Sequence, residues 1–369
     1  MPFDVAVVGA GAFGAWTAWH LHQAGRKVLL VDSYGPANSR ASSGGESRII
    51  RMAYGARSIY TQFSIESLRA WHSLAASTDP TLLVNCGALW IAAPGDEHAT
   101  ATTQVFAEQA VPFEVLDAAT LRRRFPHFRF ADSEWALFEP AAGGLLARRA
   151  VQTLVRFLIA SGVAYEQRHC ATPADLDASQ VVFACGPWLP KIFPAELGKR
   201  ILPSRQDVLF FGVPPGTSHY GPSGTPCWVD LSSTFYGIPD LENRGFKVAI
   251  DKRGPLFDPD TDSRFPLPES IDGVREYLAR RVPDLATAPL TEARVCQYEN
   301  TATSDYILDR HPAFDNVWIA GGGSGHGFKH GPSVGRYMKE LIVDQRTPDA
   351  VFRIDTKPEF TELTTQSSL

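Results

Sequence analysis

The chain has 369 residues, 44% of them hydrophobic and 20% charged, with a formal net charge of −5. That length points to about two domains rather than one core, and the mildly acidic balance argues against nucleic acid or an anionic membrane surface as the main partner. No stretch approaches the ~20 apolar residues of a membrane span, and the five cysteines (Cys86, Cys170, Cys185, Cys227, Cys296) form neither a CxxC pair nor a disulfide framework, which fits a reducing compartment.

In chain order, valine-rich Asp4–Val8 reads as a strand and Gly9-Ala10-Gly11-Ala12-Phe13-Gly14 as a turn into a helix. Lys27–Val31 then reads as a second strand, ending in Asp32. Each part suits a dinucleotide. Gly9 permits the tight turn, Gly11 lets backbone N–H groups approach a pyrophosphate, and Gly14 lets the helix lie close to the sheet. The helix N-terminus favours the phosphates, and Asp32 can accept hydrogen bonds from ribose hydroxyls. An ordinary strand–helix turn is the plain alternative, but both strands, the helix and the acid agree. Because the fingerprint begins so close to Met1, no cleaved signal peptide is expected. Ser367-Ser368-Leu369 lacks the basic middle residue of a peroxisomal address, so the cytoplasm is the expected compartment.

A small-residue loop, Ser39–Gly45, precedes Ser47-Arg48-Ile49-Ile50-Arg51 and a helical stretch around Gln62–Ala76. Gly87–Ala93 reads as a strand, His98–Ala110 as a helix, and Leu121–Pro126 as a polar segment. An amphipathic helix over Arg149–Ser161 leads to a strand at Val181–Gly186 that ends in a glycine turn. From Leu202 to Pro289 prolines are frequent, and short strands such as Val208–Gly212 and Gly245–Ile250 alternate with turns, as in an antiparallel region. Val317–Ala320 is a strand, followed by a glycine-rich loop and a helix from about Pro332 to Asp344.

Gly321-Gly322-Gly323-Ser324-Gly325-His326-Gly327-Phe328-Lys329 is the second strong signal. Glycines between a strand and a helix let backbone N–H groups face an anion, such as the negative edge of a reduced flavin. A second phosphate loop or a flexible turn fits the spacing equally well. Ser324 does not read as a nucleophile, because it stands outside a Gly-x-Ser-x-Gly frame.

Together the fingerprint, Ser47–Gly55, Phe138-Glu139-Pro140, Cys185-Gly186-Pro187-Trp188, Val295-Cys296-Gln297-Tyr298 and Gly325–Lys329 resemble, in order and over essentially the whole chain, the monomeric sarcosine oxidase / N-methyltryptophan oxidase family. These are flavin amine oxidases of the D-amino-acid-oxidase-like group, with fructosyl-amino-acid oxidases as relatives. The resemblance implies an α/β fold. A Rossmann-type FAD-binding domain (1–85, 145–201 and 290–369) is interrupted by a largely antiparallel β-sheet substrate domain with helices (86–144 and 202–289). It implies a monomer that oxidises a secondary amine or N-substituted amino acid by hydride transfer to flavin N5. The product is an imine, and O2 returns the flavin to its oxidised state as H2O2 forms.

Carried over by position, the resemblance places Cys296 as the cysteine that tethers FAD. It places Phe13, Ser42, Ser43, Gly186, Trp188, Gly323, Gly325, His326, Gly327 and Lys329 around the cofactor, beside Gly9, Gly11, Gly14 and Asp32. It makes Lys247 the oxygen-activating cation, with Arg48 beside the flavin and Arg51 and Lys329 as a carboxylate clamp. Tyr236 and Tyr298 become pocket aromatics, with Tyr236 near the chemistry. Read alone, Cys296 is more often a small buried hydrophobe, Lys247 a solvated surface charge, Arg48 and Arg51 charges on an exposed edge, and the tyrosines core.

Two departures stand out. Sarcosine-type members carry a histidine pair where this chain has Ser43-Gly44, and a pocket histidine where it has Asp251. Cys227 also falls near a position that is often methionine. The Gly44 change is expected to enlarge the pocket, and Asp251 to attract a second cationic group or to pair with Lys252 or Arg253. Sarcosine itself is therefore a doubtful substrate. No side chain need act as a strong general base, and no metal is expected. A flavin dehydrogenase with another electron acceptor is the alternative, and a nicotinamide-dependent reductase or a non-catalytic flavin-bearing interaction protein are the competing classes.

Overall fold

The computed structural model describes residues 2–361, so the Ser367-Ser368-Leu369 tail lies outside the described residues. Phe3–Val8 is the central strand of a six-stranded sheet. It pairs in parallel with Val28–Asp32 on one side and Ala178–Phe183 on the other. Ala164–Gln167 extends the first side, while Val317–Gly321 and antiparallel Ile307–Arg310 extend the second. Val5 and Val7 pack into the cluster that contains the first helix (Ala12–Gln23), whereas Ala6 and Val8 pack against Leu189, Phe193 and Leu197. Burial on both faces explains why this strand reads as a continuous apolar run. Because the chain crosses to opposite sides of Phe3–Val8, a crevice opens at the carboxyl ends of the strands, which is where sheets of this kind hold ligands.

An eight-stranded, mostly antiparallel sheet forms the second layer. Its order begins Leu290–Asn300, Leu202–Phe211, Phe246–Ile250, Phe235–Ile238, Cys227–Asp230. Side chains alternate faces. Leu209, Phe211, Phe246 and Val248 join the apolar core beneath the helix Pro268–Arg281, while Val208, Phe210 and Ala249 form a separate cluster with Tyr236 and Cys296 packed on it. Cys296, packed on this second cluster, borders the same cleft as the Gly9 turn of the first sheet.

The structure differs from the sequence reading in two places. Leu290–Asn300 pairs with Leu202–Phe211 along its length, so this stretch lies in the eight-stranded sheet rather than with the nucleotide-binding strands expected to begin at 290. The proline-rich region also contains the 14-residue helix Pro268–Arg281, which its turn-like composition concealed. Pro268 stands at the helix start, where a missing N–H costs nothing, and Val274, Tyr277 and Leu278 bury one face.

Candidate active site

A cleft of about 510 Å3 lies at the carboxyl ends of the six-stranded sheet. Gly9 has φ +105, and a Cβ there would stand 2.4 Å from the carbonyl oxygen of Ala184. Gly11 begins the first helix with no side-chain cap, so the helix N-terminus faces the cleft with backbone donors. Ser43 Oγ accepts from the Ala12 N–H at 3.0 Å, and Asp32 accepts from the N–H groups of Ala10, Tyr34 and Gly35 at 2.7–2.8 Å. A carboxylate has about four acceptor sites, so Asp32 keeps capacity for one more donor. Gly14 sits against the turn itself, where a Cβ would lie 1.8 Å from the Gly9 carbonyl oxygen.

The cleft continues past Cys185, Gly186 and Trp188 to Arg48, Cys296, Tyr298, Gly323, Gly325, Gly327 and Phe328. Arg48 donates to the carbonyls of Ser47 and Ser42 at 2.8 and 2.6 Å and lies 3.4 Å from Cys296 Sγ. Trp188 donates its indole N–H to Asp260 at 2.7 Å, which closes the loop over residues 258–260 against the cleft mouth. Glu299 lines the same cleft, and its Oε2 is buried with no hydrogen-bond partner among the described residues. Burial pushes its carboxyl up to about 7, against the pull of the Gly322 and Gly323 N–H groups. An elongated, glycine-walled cleft that ends in helix N–H donors and contains an orphaned acceptor fits a ligand bearing phosphates at one end and hydroxyls along its length. FAD has that chemistry.

Behind the cleft lies a dry charged cluster. The Arg51 guanidinium carbon sits 4.3 Å from the Tyr54 ring centre and 4.7 Å from that of Trp90, and Arg51 donates to the Ala53 carbonyl. Lys329 Nζ donates to Tyr54 Oη at 2.8 Å and to the His326 carbonyl at 2.9 Å. Both cations are buried. Burial, and next the charge of Arg51, hold the Lys329 ammonium well below its ordinary value. Tyr298 donates to the buried Asp251 at 3.4 Å, and Tyr236 stands beside Tyr298. Glu139, fully buried, accepts from the N–H groups of Met52 and Ala53 at 2.7 and 3.2 Å. It thereby fixes the backbone that follows Arg51.

Lys247 occupies the sheet face that carries Tyr236 and Cys296 and donates to the Ser47 carbonyl at 2.8 Å. It is 1% exposed, and burial, then the charge of Arg48, lower it to about 7.

Several expected positions prove different. His326 lies outside the cleft, its Nδ1 2.8 Å from Tyr306 Oη and its Nε2 2.9 Å from the Ser304 carbonyl, so only its backbone borders the glycine loop. Lys329 points to Tyr54 rather than toward the cofactor cleft. Gly44 is not among the residues lining the cleft, and a Cβ there would strike the Asn38 carbonyl oxygen at 1.9 Å, so glycine serves close backbone packing. Arg253 donates to the Thr301 carbonyl and Ser304 Oγ at 3.0 and 2.9 Å. Trp90 and Glu299 were given no role by the sequence, where nothing distinguishes them from a core aromatic and a solvated acid, and Tyr54 stood in the recognised Ser47–Gly55 stretch without a function. Glu139 stood inside a recognised motif, but without a function.

Comparison with known proteins identifies the family. Residues 4–341 match the family described as DAO, FAD dependent oxidoreductase. The chain is 28% identical to monomeric sarcosine oxidase of Streptomyces avermitilis, over 96% of this chain and 97% of that one. It is 28% identical to N-methyl-L-tryptophan oxidase of Yersinia pestis, over 94% and 97%. The fold is similar to that of NikD, an amino acid oxidase essential for nikkomycin biosynthesis, with TM-score 0.76 at 20% identity over 98% of both chains.

Proposed function

Since this chain belongs to the FAD dependent oxidoreductase family, we propose that it oxidises a secondary amine or an N-substituted amino acid and passes the electrons to O2. Bound FAD would supply the two-electron acceptor for the C–H bond beside the amine nitrogen, with H2O2 as the final reduced product. The observation that carries this reading is the pairing of two buried basic side chains, Arg51 and Lys329, both in contact with Tyr54.

Two cations in a water-poor site attract a carboxylate strongly and fix its orientation. The substrate carboxylate would lie against Arg51 and Lys329, with Tyr298, Tyr236 and Asp251 bordering the rest of the molecule. Asp251 favours a substrate with a donor or positive group distal to the carboxylate. The amine nitrogen must be neutral when hydride leaves the adjacent carbon, and a dry site lined by Arg51 and Lys329 disfavours the ammonium form. Arg48 and the helix N-termini around Gly11 and the Gly323–Gly327 loop supply positive potential along the cleft. Lys247 places a fixed ammonium where O2 gains its first electron.

Cys296, half-buried in the cleft wall with Arg48 at its sulfur, is proposed as the point of covalent attachment. The protein is proposed to act as a cytoplasmic monomer, with residues 1–85, 145–201 and 290–369 contributing to the FAD site, the strand Leu290–Asn300 from within the eight-stranded sheet, and that sheet shaping the substrate pocket. Among the described residues no helix is long and apolar enough to cross a membrane. A panel of secondary amines and N-methyl amino acids, read by O2 uptake and peroxide release, tests the proposal. Flavin bleaching without O2 uptake would instead favour a dehydrogenase, and a colourless protein lacking absorbance near about 450 nm would end the flavin reading.

A further inference from the structure

We propose that Cys86 and Cys227 form a peroxide-reactive dithiol, a modification site at which H2O2 converts the two thiols into an internal disulfide. The site rests on geometry. Its expected oxidant rests on the oxidase reading above.

The two sulfurs lie 3.7 Å apart, whereas a disulfide bond is about 2.05 Å long. The backbones on either side are already fixed. Cys227 N–H donates to the Gly87 carbonyl at 3.1 Å, Gly87 N–H to the Ala142 carbonyl at 2.9 Å, and Cys86 N–H to the Val84 carbonyl at 3.1 Å. Cys227 begins a strand that runs parallel to Ala88–Ala92, in register with Ala88, two residues beyond Cys86. Closing the remaining gap brings together two sulfurs whose backbones lie on neighbouring, hydrogen-bonded segments.

The pair is asymmetric in the way such chemistry requires. Cys86 is half-buried beside exposed Asn85, so a small oxidant can reach it. Cys227 is fully buried behind it, on the sheet face shared with Ile238 and Leu241. The hydrogen bond from Cys227 holds the Cys86 thiol below its ordinary value, and burial pushes the Cys227 thiol up. The more acidic, more accessible thiol attacks first and its neighbour resolves the product. The remaining cysteines lack this arrangement: Cys170 faces the Thr172 carbonyl, Cys185 the Val8 carbonyl, and Cys296 the Arg48 guanidinium. Among the described residues no three metal-ligating side chains converge, so the pair is not half of a metal site.

The chemistry balances. The Cys86 thiolate attacks one oxygen of H2O2, forming an S–O bond as the O–O bond breaks, and hydroxide leaves as water after taking a proton. The Cys227 sulfur then attacks the Cys86 sulfenic sulfur, forming the S–S bond, losing its own proton and releasing the second water. Two thiols supply two electrons, and one H2O2 is reduced to two waters.

The test is a peptide mass map of the holoenzyme treated with stoichiometric H2O2, denatured and alkylated. The expected product joins the Cys86 and Cys227 peptides with the loss of two hydrogens, returns to two free peptides on reduction with dithiothreitol, and leaves Cys170 and Cys185 alkylated. In Cys227→Ser the cross-link disappears and Cys86 stops at the sulfenic acid, trapped as its dimedone adduct, advancing to sulfinic acid only when a second equivalent of H2O2 is added. Free, unmodified Cys86 and Cys227 after peroxide treatment overturn the proposal, as does Cys86 sulfinic acid without a cross-link in the native sequence. Added peroxide separates the two readings: a cross-link with added H2O2, but no peroxide from any amine, leaves the dithiol standing and removes the oxidase.

Discussion

Trp90 donates its indole N–H to the fully buried carboxylate of Glu139 at 2.6 Å, and the same indole faces the Arg51 guanidinium at 4.7 Å. Glu139 therefore holds both the ring against which Arg51 packs and the backbone that follows Arg51. Trp90→Phe keeps an aromatic face but removes the donor. It should raise KM for carboxylate substrates severalfold with little change in kcat, and an unchanged KM would mean that Trp90 does not set the Arg51 position.

Arg51→Ala should raise KM for an N-methyl amino acid by about tenfold to a hundredfold, the worth of a charged hydrogen bond in a dry site. An amine without a carboxylate should be nearly indifferent to the change. Equal losses for both substrates would place Arg51 in structure rather than in the clamp.

Lys247 gives a pH prediction. Its pKa is lowered to about 7, so the cation predominates below that pH and is lost above it. The rate constant for reaction of the reduced enzyme with O2 should fall as pH rises through about 7. Lys247→Met should lower it by about a hundredfold or more and flatten the profile, while anaerobic reduction by substrate survives. A pH-independent rate in the native enzyme would remove Lys247 from the oxygen step.

Acid precipitation should leave the colour with the protein if Cys296 carries the flavin. Cys296→Ser should release it to the supernatant. Colour lost from the native chain under the same treatment would show the cofactor to be held without a bond.

Glu299 has its carboxyl raised to about 7 in the folded protein, against an ordinary value of 4.5. A raised carboxyl binds its proton more tightly folded than unfolded, so its contribution is present below the unfolded value and is lost as pH rises through the folded one. Native stability relative to Glu299→Gln should therefore decline between about pH 4.5 and 7. The decline should be about 1–2 kcal/mol, allowing for the part of the side chain that water reaches. Parallel thermal midpoints for the two proteins across that range would show Glu299 to be uncoupled from folding.

The parts legible in the sequence were those whose chemistry is local. The Gly9–Asp32 unit is read from one strand–turn–helix–strand segment, and it sits at the centre of the parallel sheet. Lys247, by contrast, read alone as a solvated charge and was placed only through the resemblance; the structure buries it on the sheet face opposite Phe246 and Val248. What was hidden depends on contacts distant in the chain. The side-chain direction of His326 is decided by Tyr306 and Ser304, and the packing of Gly44 by Asn38. The helix Pro268–Arg281 was concealed because its starting proline looks the same as a turn proline until the apolar face finds its partner.

The cleft takes one wall from each large sheet: the glycine turn after Phe3–Val8 belongs to the parallel layer, and Cys296 to a strand of the antiparallel one. A molecule lodged there is thus a rivet between two layers that chain connectivity alone leaves to pack by surface contact. Loading and folding become thermodynamically coupled, since whatever fills the cleft favours the state in which the layers are together. A bond at Cys296 would make that coupling independent of cofactor concentration, because dilution cannot remove a ligand that is part of the chain.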